Sequence, residues 1–149
     1  MRKIVPGAVV VLVAVGGYAA GVSGQATGVS RTDLGRGTVG EAYRFDSKAG
    51  TDIVVQKVTI EPGAVAAWHT HPGSEAVIVL AGTLTYVKGD DPDCRSQEFS
   101  AGQVVTGPGH VHQGKNAGKQ PVEMVVAYFD VPAGGAATNP AKPPAHCAE

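Results

Sequence analysis

The stretch GAVAAWHTHPGSEAVIVLAG, Gly63–Gly82, contains the strongest indications of how this chain folds. His69 and His71 are separated by one residue, and in a β-strand the side chains at positions i and i+2 point to the same face. A Pro-Gly pair then predicts a turn, and Glu75 follows it at the start of an apolar, β-branched run that is typical of a strand. We expect the turn to bring the Glu75 carboxylate back to the two imidazoles.

A second pair of histidines, His110 and His112, has the same spacing, so that four of the five histidines occur in such pairs. Imidazole is the commonest protein ligand of first-row transition metals, and a carboxylate adds a hard oxygen donor with a negative charge. One isolated pair on a strand would be weak evidence of a site. Two pairs and a glutamate together predict a site for one divalent transition metal ion, and these donors suit Mn, Fe, Ni, Cu and Zn alike.

The spacing of these residues resembles the sequence motifs of the cupin superfamily. Five residues stand at the offsets of the first cupin motif without a gap: Gly63, His69, His71, Glu75 and Gly82. The second motif is matched less completely. Aligned on His112, Gly109 and Asn116 fall on motif positions, whereas Pro108 and Gly102 stand one place late. The resemblance covers residues 51–132.

This resemblance implies an all-β fold, the double-stranded β-helix or jelly-roll barrel, with His69, His71, Glu75 and His112 facing inward around the metal. Alternation along a strand would let either histidine of the second pair reach the ion. A Gly-Pro-Gly turn immediately precedes His110, however, whereas His112 lies inside the predicted strand. We therefore predict that His112 is the ligand and that His110 stands at the pocket rim, as a candidate acid or base.

Two functions would use the same residues. A metal-dependent oxidoreductase, similar to a dioxygenase or oxidase, would act on a small molecule with dioxygen, and a non-catalytic protein would hold a small ligand at the same metal. Alternation predicts an apolar pocket lined by four side chains: Val65, Ala67, Val77 and Val79. Such a pocket favours a neutral or phenolic ligand, and besides His110 the acid or base candidates are Tyr86 and Gln103. We favour the oxidoreductase.

Residues 1–24 are typical of a secretory signal peptide, because two basic residues precede an apolar stretch that ends in small residues. The alternative is an uncleaved membrane anchor, since the stretch is near the lower length limit of a spanning helix. After the signal, residues 25–40 lack any period and predict a flexible arm. Residues 41–132 then form the predicted cupin β-barrel domain, with the first strand-like material near Glu41.

If the chain is exported, its two cysteines are expected to form a disulfide. Cys94 and Cys147 are an even pair in an oxidising compartment, so we predict a disulfide that ties down a C-terminal tail, residues 133–149. The alternative is two unpaired thiols. The tail is rich in Ala, Gly and Pro, and no other anchor for it is visible in the sequence.

The composition narrows the range of partners. A formal net charge of −1 offers no basic face for nucleic acid. Twenty-one glycines and ten prolines suit short strands joined by tight turns. Exposed strand edges, which such folds commonly carry, favour a homodimer.

Overall fold

In a computed structural model of the chain, residues 30–148 are described, and the predicted signal peptide and the first residues of the arm lie outside them. All strands of this part belong to one compact unit, Thr32–Glu149. They are β1 (Thr38–Val39), β2 (Thr51–Ile60), β3 (Val65–Thr70), β4 (Glu75–Ala81), β5 (Thr83–Lys88), β6 (Ser96–Ser100), β7 (Gln103–Gly107), β8 (His112–Lys115), β9 (Val122–Pro132) and β10 (Asn139–Pro140). A short 3-10 helix, Ala145–Cys147, follows, and the described residues contain no helix with the length and apolarity of a membrane span.

The strands form two five-stranded sheets, in the orders β1-β7-β4-β9-β2 and β10-β3-β8-β5-β6. All pairings are antiparallel except that between β1 and β7. Each sheet is hydrogen-bonded separately within the described residues, and the core between them draws side chains from both. The prediction of an all-β double-stranded β-helix is confirmed.

Strict alternation on β4 and β9 builds much of the core. On β4, Glu75, Val77 and Val79 are buried, whereas the residues between them are half-buried. On β9 the same period buries Val122, Met124, Val126 and Tyr128. Because β4 and β9 are paired neighbours, their inward faces form one apolar surface, with Glu75 at its end.

Alternation is interrupted on β3, and there the prediction of pocket-lining residues is right for Ala67, which lines the cavity between the sheets, and wrong for Val65. Val65 is 52% exposed and Ala67 is exposed, while Ala66 packs against the core. The cause is an irregularity in the β3–β8 register between Ala66 and His69, where a bulge adds a residue and shifts the side chains to the other face. Val77 and Val79 do face the core, as predicted, but of these two only Val77 lines the cavity.

The end of the predicted arm belongs to the first sheet. Thr38 and Val39 pair with β7 in parallel, and the Thr38 amide donates to the Gly102 carbonyl. Just before them, Gly35 and Gly37 lie against side chains of β4 and β7, so close that a Cβ would collide with them. The arm is therefore not wholly flexible, because it covers the apolar outer face of this sheet. The described residues 41–50, in contrast, contain no strand.

The C-terminal tail has a second anchor that the sequence did not indicate. β10 pairs with β3, so that Asn139 lies opposite Thr70 and Pro140 opposite His69. The tail also ends in a disulfide between Cys94 and Cys147, whose Cα atoms are 5.5 Å apart. For a sequence separation of 53 residues, chain-entropy arguments assign such a link about 4 kcal/mol of stabilisation.

Candidate metal centre

Three imidazoles converge between the two sheets. His69 lies on β3 and His112 lies opposite it at the start of β8, while His71 directly follows β3. Their ligand atoms all lie within 4.8 Å of one another, and the ring centroids of His69 and His112 are 4.3 Å apart. The two predicted motifs thus meet at one point.

Glu75 lies against two of these rings. Its Oε2 is 3.1 Å from His71 Nε2, and its Oε1 is 3.2 Å from His112 Nε2. The buried hydroxyl of Tyr86 donates a hydrogen bond of 3.2 Å to the same Oε1. A buried carboxylate requires partners of this kind because its charge is costly away from water.

Each of the three imidazoles is oriented by a backbone carbonyl. The Nδ1–H groups of His69, His71 and His112 donate to the carbonyls of Ala67, Ala137 and His110, at 2.6, 2.7 and 2.7 Å. A proton on Nδ1 leaves the lone pair of a neutral imidazole on Nε2. The backbone therefore selects the tautomer in which Nε2 is free to bind a metal ion.

The electrostatics of the cluster favour an ionised Glu75. Burial opposes the charge, but the close contact with His71 and the nearby imidazoles outweigh it and lower the pKa of Glu75. Burial also opposes protonation of His71, but contact with Glu75 raises its pKa. Burial lowers the pKa of both His69 and His112. The cluster thus offers one carboxylate together with imidazoles of which two resist protonation.

These residues fit a divalent transition metal ion. Among the described residues, His71 Nε2 is the one buried side-chain nitrogen or oxygen that lacks a hydrogen-bond partner, since its contact with Glu75 lacks hydrogen-bond geometry. A buried polar atom without a partner is costly, and a metal ion would satisfy it. Three imidazole nitrogens and one carboxylate would leave coordination positions free, which is typical of catalytic or ligand-binding sites more than of closed structural ones.

The centre opens into a cavity of about 470 Å³ between the sheets. His69, Glu75 and His112 line it together with Tyr86 and Tyr128. Much of the remaining wall is apolar: Val58, Ile60, Val77, Leu84, Met124 and Val126. No Lys or Arg is found among the described residues that line the cavity.

Comparison with known protein families covers this same region. The family described as cupin domain (Cupin_2) matches residues 56–128, which include all four predicted ligands. The chain is a member of the cupin superfamily.

Among curated proteins, this cupin is 41% identical to (R)-mandelonitrile lyase of Granulicella tundricola over 61 residues, which cover 41% of the chain and 47% of that protein. It is 31% identical to Germin-like protein 1 of Brassica napus over 116 residues, covering 74% of the chain and 54% of the relative. The chain therefore spans about half the length of the curated relatives it matches. Among solved structures, a cupin-like protein of Thermotoga maritima shares 30% identity over 53% of this chain and 58% of that one, with a TM-score of 0.48.

His110 does not stand at the rim of this cupin's main cavity. Its side chain is 58% exposed, and its Nδ1 lies 2.8 Å from Asp90 Oδ2 at the surface. It lines a separate hollow of about 80 Å³, which Tyr86 and His112 also line. The rim prediction is wrong because β8 begins only at His112, so that the alternation of a strand does not extend back to His110.

The other acid or base candidates differ in outcome. Tyr86 belongs to the centre through its hydrogen bond to Glu75, whereas Gln103 accepts a hydrogen bond from the Ser100 amide and lines no part of the main cavity. Tyr128, which no sequence motif indicated, also belongs to the centre, since its ring centroid lies 4.7 Å from that of His71. Its position on the alternating β9 pattern, in phase with Met124, could have indicated that it faces inward.

Proposed function

We propose that this cupin is a secreted, metal-dependent oxidoreductase, similar to a dioxygenase or oxidase, that acts on a small, neutral and largely apolar molecule. The observation that carries the proposal is the convergence of three imidazoles and a buried carboxylate at one end of a largely apolar cavity. A divalent transition metal held there would supply Lewis acidity and, if redox-active, electron transfer.

Tyr86 would stay neutral and would orient the charged carboxylate of Glu75. Burial, with the negative charge of Glu75 close by, raises the pKa of the Tyr86 hydroxyl, so that it stays protonated at neutral pH. The hydroxyl therefore remains a donor to Glu75 Oε1 and holds that carboxylate in one orientation. The phenol would act as a positioning group and not as a base.

The cavity wall favours neutral substrates. A substrate with several carboxylates or phosphates would require Arg or Lys partners, which the described lining lacks. The polar side chains of the wall include Gln56, Thr138 and Tyr128, which suit hydroxyl or carbonyl groups. Burial raises the pKa of the Tyr128 hydroxyl to about 12, so it too is a hydrogen-bond donor at neutral pH. A phenol with an apolar body would match both parts of the wall.

One observation favours a second function. The identity of 41% to (R)-mandelonitrile lyase over 61 residues points to cleavage of a cyanohydrin, which is also a small neutral molecule with an apolar body. The same apolar wall would hold its ring. This candidate differs from the first in requiring no dioxygen.

The test uses protein purified from its exported fraction, analysed for metal and assayed for dioxygen uptake with a panel of neutral phenols and, for contrast, dicarboxylates. The same preparation is assayed for cleavage of (R)-mandelonitrile, and His112→Ala serves as the variant deprived of a ligand. Dioxygen uptake with neutral phenols alone, absent in His112→Ala, would support the oxidoreductase. Anaerobic cleavage of the nitrile would support the lyase instead. Bound metal and ligand without turnover would leave a metal-dependent binding protein, and absence of metal would refute both enzymes.

Secretion is tested by intact mass spectrometry of the exported fraction. We expect a mature chain that begins near Gln25 or Thr27, after removal of the apolar N-terminal segment. A mass that includes Met1 would contradict cleavage and support the membrane-anchor alternative. Free thiols under denaturing, non-reducing conditions would contradict the disulfide.

A further inference from the structure

The C-terminal strap, which we define as residues 133–147, adds an edge strand to the second sheet. Its two-residue strand β10 pairs with β3, and beyond it the Ala141 amide donates to the Trp68 carbonyl at 2.9 Å. The strap then reaches Cys147 and its disulfide to Cys94, in the loop after β5. The strap therefore leaves the first sheet after β9 and is fastened, at its middle and at its C-terminal end, to the sheet that bears His69 and His112.

The strap contacts the metal centre directly. The Ala137 carbonyl accepts the 2.7 Å hydrogen bond from Nδ1 of His71, a residue 66 positions earlier in the chain. Of the three carbonyls that orient the imidazoles, this one alone comes from a distant part of the sequence, since the other two lie two residues from their histidines. The orientation of His71 thus depends on where the strap lies.

The strap also forms part of the cavity wall. Thr138 and Pro140 line the cavity beside Trp68 and His69, and Tyr128 lines the same cavity. Ala137 packs against the core. A ligand that fills the cavity would touch these side chains, so the strap also influences which ligands fit.

We propose that the C-terminal strap is a positioning and specificity element of the metal site: its Ala137 carbonyl orients His71, its Thr138 and Pro140 close one wall, and the Cys94–Cys147 disulfide holds it in place. The inference rests on the proposed function in so far as it requires that the centre binds metal. It assigns a role at the site to a segment that lies outside the matched cupin region, residues 56–128.

The disulfide matters because the other attachments of the strap are isolated hydrogen bonds and one short strand pairing, including bonds from the Gly134 amide to Asp52 and from the His146 ring to the Asp91 carbonyl. β10 is only two residues long, both exposed, and the terminal 3-10 helix buries no residue. A segment rich in Ala and Pro with so few buried residues gains little free energy from packing. That gain does little to offset the conformational entropy that the segment loses when it becomes ordered. Without the disulfide we expect the strap to leave β3 for part of the time, which would remove the acceptor of His71 Nδ1–H.

The test compares full-length variants by titration with Co²⁺ alone, which reports both affinity and, through its visible absorption, the geometry of the ligands. One variant replaces both cysteines, Cys94→Ala with Cys147→Ala, and so removes the tether without leaving a thiol that could bind the ion. A second, Ala141→Pro, removes the amide that donates to Trp68. Lys142→Pro is the matched control, since it places the same residue at the next, exposed position of the strap.

We expect both strap variants to bind Co²⁺ about 10 to 100-fold more weakly than the wild type, the range typical of lost partners of metal-bound histidines, with an altered visible spectrum. Lys142→Pro should match the wild type in both. The fluorescence of Trp68, the one tryptophan of the chain, gives a readout that requires no metal. Acrylamide should quench it more strongly in the strap variants, and far-UV circular dichroism should show that the sheets are intact.

The outcomes separate the two proposals. Unchanged Co²⁺ affinity and spectrum in variants whose Trp68 has become accessible would overturn the role of the strap and leave the metal site standing. Unchanged Trp68 quenching in both variants would overturn the view that the disulfide and the Ala141 amide hold the strap. A folded wild type that binds no Co²⁺ would overturn the proposed function and, with it, the positioning of His71.

Discussion

The two histidine pairs have the same spacing but different outcomes. His69 and His71 both reach the centre, with ring centroids 5.0 Å apart. In the second pair only His112 does so, and its ring lies 4.3 Å from that of His69. His110 instead faces outward and contacts Asp90 at the surface.

The difference shows that the spacing of two residues in the sequence predicts a shared face only where the backbone between them is a regular strand. His69 lies within β3 and His71 at its end, so the first pair closely follows the strand. The second pair follows a turn in which Gly109 has a φ of +82°, and its strand begins at His112 itself. A histidine that directly follows a turn, outside the strand, does not point to the same face as the residue two positions later in the strand.

The largest effect that follows is on metal binding by the second pair. We expect His112→Ala to weaken metal binding by at least roughly 100-fold. Removing a residue that only hydrogen-bonds to a metal ligand already weakens binding by up to about 100-fold, and the loss of a ligand itself should cost at least as much. His110→Ala should leave affinity within about threefold, because its ring is exposed and bonds to Asp90. Isothermal titration with Co²⁺ measures both. Loss of binding in His110→Ala alone would mean that the two residues exchange roles.

A second experiment alters the turn at Gly109, which directly precedes the second histidine pair. A Cβ on Gly109 would collide with the Gly73 carbonyl and lie 2.6 Å from that of His71, at a φ of +82°. We expect Gly109→Ala to lower the free energy of unfolding by about 3 kcal/mol and to weaken Co²⁺ binding, since strain and overpacking add.

Gly102→Ala is the matched control for that experiment. Gly102 has a similar φ of +86° but open space where its Cβ would lie. Denaturant unfolding should show a loss of about 1 to 2 kcal/mol from conformation alone, with metal binding retained. Equal losses in the two variants would contradict the view that close packing between the two turns matters.

The link between Glu75 and Tyr86 gives a smaller effect. Tyr86→Phe removes the hydroxyl that donates to Glu75 Oε1 but keeps the ring, which packs 4.9 Å from that of His112. We expect Co²⁺ affinity to fall by about tenfold, with little change in stability, because the carboxylate loses one of the partners that orient it. An affinity equal to that of the wild type would show that the imidazoles alone hold Glu75 in place.

The smallest effect concerns the surface contact of His110. Asp90→Asn should change the free energy of unfolding by less than about 1 kcal/mol, because the side chains of Asp90 and His110 are 54% and 58% exposed and such pairs contribute little. Metal affinity should not change. A large loss of stability or of metal affinity would indicate that the Asp90–His110 contact supports the metal centre, and would contradict the view that His110 plays no part in it.

The contrast also explains which parts of the molecule could be predicted. The all-β fold and membership of the cupin superfamily follow from local signals, because turn residues and period-two alternation act over a few residues. The inward direction of Ala66 in place of Val65 could not be predicted, since the bulge in β3 is a property of its pairing with β8. Tyr128, in contrast, was predictable in principle, because its strand alternates regularly.

The amino-acid sequence by itself determined which residues could form the centre, because the motif spacing from Gly63 to Gly82 depends only on strand and turn geometry. Tertiary structure alone decided what orients and encloses them. The Ala137 carbonyl meets His71 across 66 positions, and Tyr86 meets Glu75 through the packing of two different sheets. A backbone carbonyl is present in every residue and carries no sequence signal, so only the folded chain shows which carbonyl meets which ring.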